Sequence, residues 1–149
     1  MLAQLSAAAG APGDAIRTYQ EALLRRPDLD VVEYRLGMLF ASRSRAEAPP
    51  DGLRRIAQDL RADAPSDPLQ LEALGWILYR TGEKGRAREL LEAAVKGAPE
   101  EPGPHFHLAA VYAQENRKDL ARGELRLALD SPRPFSDRLE ALRLLRENR

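Results

Sequence analysis

The sequence predicts an all-α chain, a solenoid of antiparallel helix pairs with a capping helix at its C-terminal end. Three observations predict it. Strand signals are nearly absent: there is no alternating Val/Ile/Thr run and no Asn-Gly hairpin turn. Apolar residues recur at helical spacing throughout, broken by clusters of Pro, Gly and Asp. Residues 68–101, laid over 102–135 with a shift of 34, align position by position.

The helices are expected over 2–9, 14–26, 30–43, 51–63, 68–81, 84–97, 102–115, 118–130 and 136–148. The second carries Ala15, Tyr19 and Ala22, and the third Leu36, Gly37 and Phe40. Leu53, Ala57 and Leu60 mark the fourth. The fifth and seventh open on Pro68 and Pro102, placed where a first-turn proline is tolerated. The sixth and eighth repeat one pattern, Ala87, Leu91, Ala94 and then Ala121, Leu125, Ala128. The last opens on Ser136 as an expected N-cap and alternates Leu139, Leu142 and Leu145 with Arg and Glu. A polar outer face on that helix would close the array.

Composition narrows the function classes. The 149 residues are 44% hydrophobic, enough to bury a core, with 23 basic against 23 acidic residues. A net charge of zero gives no general pull toward nucleic acid or an anionic membrane. Arginine outnumbers lysine 20 to 3, which reads as a GC-rich bacterial genome. Without cysteine there is no disulfide, thiol nucleophile or thiolate metal site. No apolar run approaches the roughly 18 residues of a spanning helix. The start, MLAQLSAAAGAPGD, lacks the basic region of a signal peptide. Bacterial cytoplasm and periplasm both fit, since the chain as a fragment would have lost a native signal.

In the shifted alignment Leu71 falls on His105, Leu74 on Leu108, Gly75 on Ala109 and Leu78 on Tyr112. Ala87, Leu91 and Ala94 fall on Ala121, Leu125 and Ala128, and Pro99 falls beside Pro132 and Pro134. This pattern resembles the tetratricopeptide repeat, a 34-residue helix–turn–helix unit. Its signature is a large residue at position 4, Leu at 7, Gly or Ala at 8 and an aromatic at 11. Ala at 20, an aromatic or Leu at 24, Ala at 27 and Pro at 32 complete it. The resemblance implies a right-handed superhelix and a single domain of units 1–29 (partial), 30–67, 68–101 and 102–135, with the cap at 136–148. The unit at 30–67 departs from the pattern by about four extra residues within 43–52. His105 at position 4 is an unusual choice. A narrower likeness links RPFSDRLEALRLL (133–145) to the C-terminal end of repeat proteins of bacterial exopolysaccharide and PEP-CTERM systems.

At about 100° per residue, positions 4, 7, 8 and 11 share one helix face. Leu71, Leu74, Gly75 and Leu78 form it and meet Ala87, Leu91 and Ala94, with small residues letting the axes approach. Positions 2, 5, 9 and 12 form an adjacent face, and in the resembled family that face lines a concave groove. The groove residues this implies are Tyr34, Arg35 and Met38; Leu69, Glu72, Trp76, Tyr79 and Arg80; and Phe106, His107, Ala110 and Gln114. Packing against a neighbouring repeat is the other reading of Trp76, Tyr79 and Phe106. Tyr112, at position 11, is expected in the core. The Lys/Asn clamp by which chaperone adaptors of the family hold a C-terminal carboxylate cannot be built here.

No catalytic, cofactor or metal constellation emerges. His105 and His107, spaced i, i+2, point about 160° apart, which excludes cis chelation. They read as one structural and one surface histidine. There is no Gly-x-Ser-x-Gly elbow, and GEKG at 82–85 lacks phosphate-loop spacing. Arg133, Arg138, Arg143, Arg146 and Arg149 read as a solvated capping face with acidic neighbours. The expectation is therefore a non-catalytic scaffold for a protein or peptide partner, with no nucleic acid and no transmembrane segment. The narrower likeness of residues 133–145 extends it to bacterial envelope, polysaccharide-export or surface-protein-sorting systems. Self-association through Leu2 and Leu5, and service as the interaction domain of a larger enzyme, are the alternatives.

Overall fold

A computed structural model describes residues 17, 18, 20–22, 25, 30–42, 50–60 and 65–149. The expected helix at 2–9, and Leu2 and Leu5 with it, lie outside the described residues; within 14–26 the described residues are helical. The chain divides into two compact units, Met1–Ala64 and Pro65–Arg149. In the first, α1 (Asp30–Ser42) and α2 (Pro50–Asp59) bury Tyr34, Leu36 and Ala41 on one helix and Leu53, Ile56 and Ala57 on the other.

The second unit runs α3 (Pro68–Thr81), α4 (Lys84–Gly97), α5 (Pro102–Gln114), α6 (Lys118–Asp130) and α7 (Arg138–Glu147). Every described element is helical, and the helix ranges follow the sequence pattern within a few residues. The largest difference lies at α2, where regular helix ends at Asp59.

Local chemistry sets the ends of α3. Asp67 caps it, accepting from the backbone N–H groups of Leu69 at 3.0 Å and Gln70 at 3.1 Å, and Pro68 fills the first turn. At the other end Gly82 takes a left-handed φ of 101°. Its N–H donates to the Tyr79 carbonyl and that of Glu83 to Leu78, at 3.1 and 2.8 Å. This pair of hydrogen bonds to the last carbonyls closes the helix. One repeat later Asn116, at φ 59°, does the same: its N–H reaches Ala113 and that of Arg117 reaches Tyr112. Ser136 is not the cap of α7. Asp137 holds that position, without a side-chain capping bond, and Ser136 Oγ donates to its carboxylate at 3.3 Å.

Each helix pair closes on a strip of small residues. Ala87, Leu91 and Ala94 on α4, and Ala121, Leu125 and Ala128 on α6, are fully buried. Burying one such leucine stabilises by about 1.5–3 kcal/mol. Neighbouring pairs then share core: Leu91 packs with Leu108, Val111, Tyr112 and Ala121. Phe106, Ala109, Leu125 and Ala128 pack with Ala141 of α7.

Gly75 is one of two glycines at which α3 and α4 approach closely, the other being Gly97 of α4 against Pro68. A Cβ at Gly75 would lie 2.8 Å from Leu91 Cγ and 3.2 Å from the Ala87 carbonyl oxygen. Gly75→Ala is expected to lower stability by about 1–2 kcal/mol despite the better helix propensity of alanine. Gly85→Ala, on an open surface of α4 with nothing within 4 Å, is expected to raise it by about 0.4–1 kcal/mol. Urea midpoints of the two variants against the parent check both signs.

Candidate functional site

The residues expected to line a groove in the second unit lie on α3 and α5, the first helices of consecutive pairs. Trp76 is at the centre of a cluster of rings there. Tyr79, one turn along α3, stacks on it at 4.9 Å between ring centroids and 18° between planes. His107 of α5 stacks at 4.3 Å and 27°. Phe106 lies tilted at 6.4 Å and meets Phe135 edge-on at 5.7 Å. Offset stacks and edge contacts are the favoured arrangements of such rings.

These side chains are more enclosed than an open groove wall. Trp76 is 8% exposed, Phe106 5% and His107 3%, and Glu72 is buried with them. Placing α5 against α3 covers both residues at the contact, so packing between repeats accounts for the rings. The rim is open: Leu69 is 58% exposed, Tyr79, Arg80 and Ala110 are half-buried, and Gln114 is exposed. In the first unit Tyr34 is buried, Met38 half-buried and Arg35 exposed.

A buried polar pair runs through the cluster. His107 Nδ1 donates to Glu72 Oε1 at 2.8 Å, with both side chains nearly enclosed. Gly103 makes room for that carboxylate: a Cβ there would lie 2.5 Å from Glu72 Oε1. Trp76 Nε1 has no partner and is the one such buried side-chain polar atom among the described residues. A buried donor left unsatisfied costs about 1–3 kcal/mol.

His107 is therefore not a surface histidine, and neither is His105. His105 Nδ1 faces Glu124 Oε2 at 2.5 Å and its Nε2 faces the Pro99 carbonyl at 2.9 Å. Helix α5 lies between the preceding pair and its own second helix, so opposite faces of it are both covered. Position 4, read in the sequence as an odd choice, is satisfied by a carboxylate on α6. The signal for either pairing was a histidine matched to a glutamate one helix or one repeat away, which the signature does not contain. Tyr112 is in the core as expected. Burial, reinforced by its donation to Glu92 Oε1 at 2.9 Å, pushes its pKa up to about 12.

Among the described residues no group of three His, Asp or Glu side chains could hold a metal, and no helix is long and apolar enough to cross a membrane.

Known proteins share this fold. Residues 38–102 and 72–137 match the tetratricopeptide repeat profile. The sequence matches no curated protein. Among solved structures, the fold is similar to TTC0263, a thermophilic repeat protein of Thermus thermophilus, at TM-score 0.70 and 19% identity, over 97% of this chain and 78% of that one. It is similar to MamA at TM-score 0.60 and 17% identity, covering 99% and 92%. YrrB, described as having an unusual peptide-binding site, aligns at TM-score 0.56 and 18% identity over 99% and 75%.

The hydrogen bond that His105 donates to Glu124 holds its pKa above the ordinary 6.5, against burial, which lowers it. A raised folded-state pKa contributes stability that is complete below 6.5 and is lost as pH rises through the folded value. The urea midpoint is expected to fall as pH climbs above about 6.5, and Glu124→Gln to flatten that fall. Midpoints taken at about pH 6 and pH 8 for both proteins decide it.

Proposed function

The chain belongs to the tetratricopeptide repeat family, and on that premise we propose that it is a non-catalytic scaffold that holds a peptide or protein segment on the face formed by α3 and α5. The observation that carries the reading is the orphaned Trp76 Nε1 within a ring cluster whose rim, Leu69, Tyr79 and Arg80, reaches solvent. A peptide ligand would bring backbone carbonyls, the acceptors this donor lacks. Aromatic and aliphatic anchors of that ligand meet Tyr79 and Leu69. Because Trp76, Phe106 and His107 are already packed together, binding orders few side chains and loses little entropy. Tyr34, Arg35 and Met38 occupy the corresponding repeat positions of the first unit and belong to the same proposed set. The peptide-binding site described for YrrB supports a peptide ligand on such a fold. The likeness of residues 133–145 to exopolysaccharide and PEP-CTERM repeat proteins supports a bacterial envelope setting, in polysaccharide export or surface-protein sorting.

The single tryptophan is its own reporter. Trp76→Phe is expected to fold, the loss of an unpartnered donor offsetting part of the cavity that the smaller ring leaves, and to bind the ligand roughly tenfold more weakly. Leu69→Glu is expected to abolish capture of a partner that the parent protein retains. Calorimetric titration of that partner reads both effects. Equal affinity for the parent and both variants would move the binding surface elsewhere.

A further inference from the structure

Five C-terminal arginines read in the sequence as one solvated face, and the fold divides them. Arg133 pairs with Glu100 and Glu101, Arg138 donates to the Leu129 carbonyl at 2.9 Å, and Arg143 pairs with Glu140 and Glu147. Arg146 and Arg149 instead join Arg122 and Arg126 of α6 around Leu142 and Leu145, lining a cleft of about 670 Å³. Arg122 pairs with Asp119, whereas Arg126, Arg146 and Arg149 form no ion pair among the described residues.

The repeat identifies this cleft. Shifted back by 34 residues, Leu142 and Leu145 become Leu108 and Val111, and Arg146 becomes Tyr112. At that internal site the second helix of the pair is seated: Ala121 of α6 packs on Leu108, Val111 and Tyr112, and both aliphatic side chains are closed off from solvent. The charges around it are balanced, with Arg88 between Glu92 and Glu115. The terminal copies of Arg88, Glu92 and Glu115 are Arg122, Arg126 and Arg149, all basic.

One face of α7 is uncovered in the same way along its length. Leu139, Leu142, Arg143 and Arg146 hold positions 4, 7, 8 and 11, the face that in α3 and α5 meets the following helix. Leu139 is 83% exposed and Leu142 41%. The expected polar outer face of a cap is therefore interrupted by leucines.

We propose that the cleft between α6 and α7 seats an amphipathic α-helix of a partner protein, one that presents a strip of alanine and leucine flanked by acidic residues. The strip occupies the place that Ala121 fills one repeat earlier, and the flanking carboxylates meet Arg126, Arg146 and Arg149. Apolar shape selects a helix, and unbalanced positive charge selects an acidic one. This surface is separate from the Trp76 face.

The test uses two fluorescein-labelled helical peptides with the same Ala/Leu strip, one flanked by Glu and the other by Lys, titrated with the full chain by anisotropy. The Glu peptide is expected to bind, to weaken as salt rises, and to lose roughly tenfold or more in affinity to Arg126→Glu/Arg149→Glu. Both arginines are exposed and without ion pairs among the described residues, so that variant keeps the fold. Trp76→Phe is expected to leave this affinity unchanged. Equal binding of both peptides, or an affinity indifferent to the double variant, overturns the proposal. So does self-association of the parent chain, or its binding to phosphatidylglycerol vesicles, if the double variant removes either one while Glu-peptide binding persists.

Discussion

At Gly75 the backbone of α3 lies so close to Leu91 that one methyl group would overlap the leucine branch point. That approach determines much of the second unit. Two helices joined by a short turn bury a common core only if their axes come near, and the small residues Ala87 and Ala94 permit it from the α4 side. Glycine costs about 1 kcal/mol of helix propensity. The dispersion contacts and apolar burial of a close-packed pair offset it. Once α3 and α4 are nested, α5 finds a surface with Leu91 already in place, and the next pair adds in the same way.

Stacking has a polar consequence. A first helix between two neighbours has few exposed directions, so polar groups on it must find partners inside. Glu72 and His107 pair across the α3–α5 contact, His105 pairs with Glu124 on the other side, and Tyr112 reaches Glu92. Trp76 Nε1 is the exception. The two surfaces proposed for partners are the places where the repeat leaves something incomplete. One has a donor without an acceptor, and the other a first helix whose pairing face is uncovered.

The two surfaces select different chemistry. Around Trp76 the lining is aromatic with a buried acid–histidine pair, which suits backbone and aromatic or aliphatic groups. At the C-terminal end the lining is leucine ringed by arginine, which suits carboxylates on a helix. The repeat yields both because substitutions at solvent-facing or terminal positions leave the packing positions untouched. Glu92 and Glu115 give way to Arg126 and Arg149 without disturbing Leu125 or Ala128, which stay fully buried.

Periodicity and the repeat pattern together anticipated the described helices, the 34-residue unit, the closing role of Gly75 and the core position of Tyr112. Each depends on contacts within one helix pair, so spacing along the chain is sufficient to read it. The sequence also marked Trp76, Phe106 and His107 as one face. Only the tertiary structure decided that these rings are enclosed, that both histidines face carboxylates, and that two of five C-terminal arginines join two from the preceding helix. Those outcomes depend on which side chains from different pairs meet. A signature that repeats identically in every unit carries no record of the neighbour across the interface.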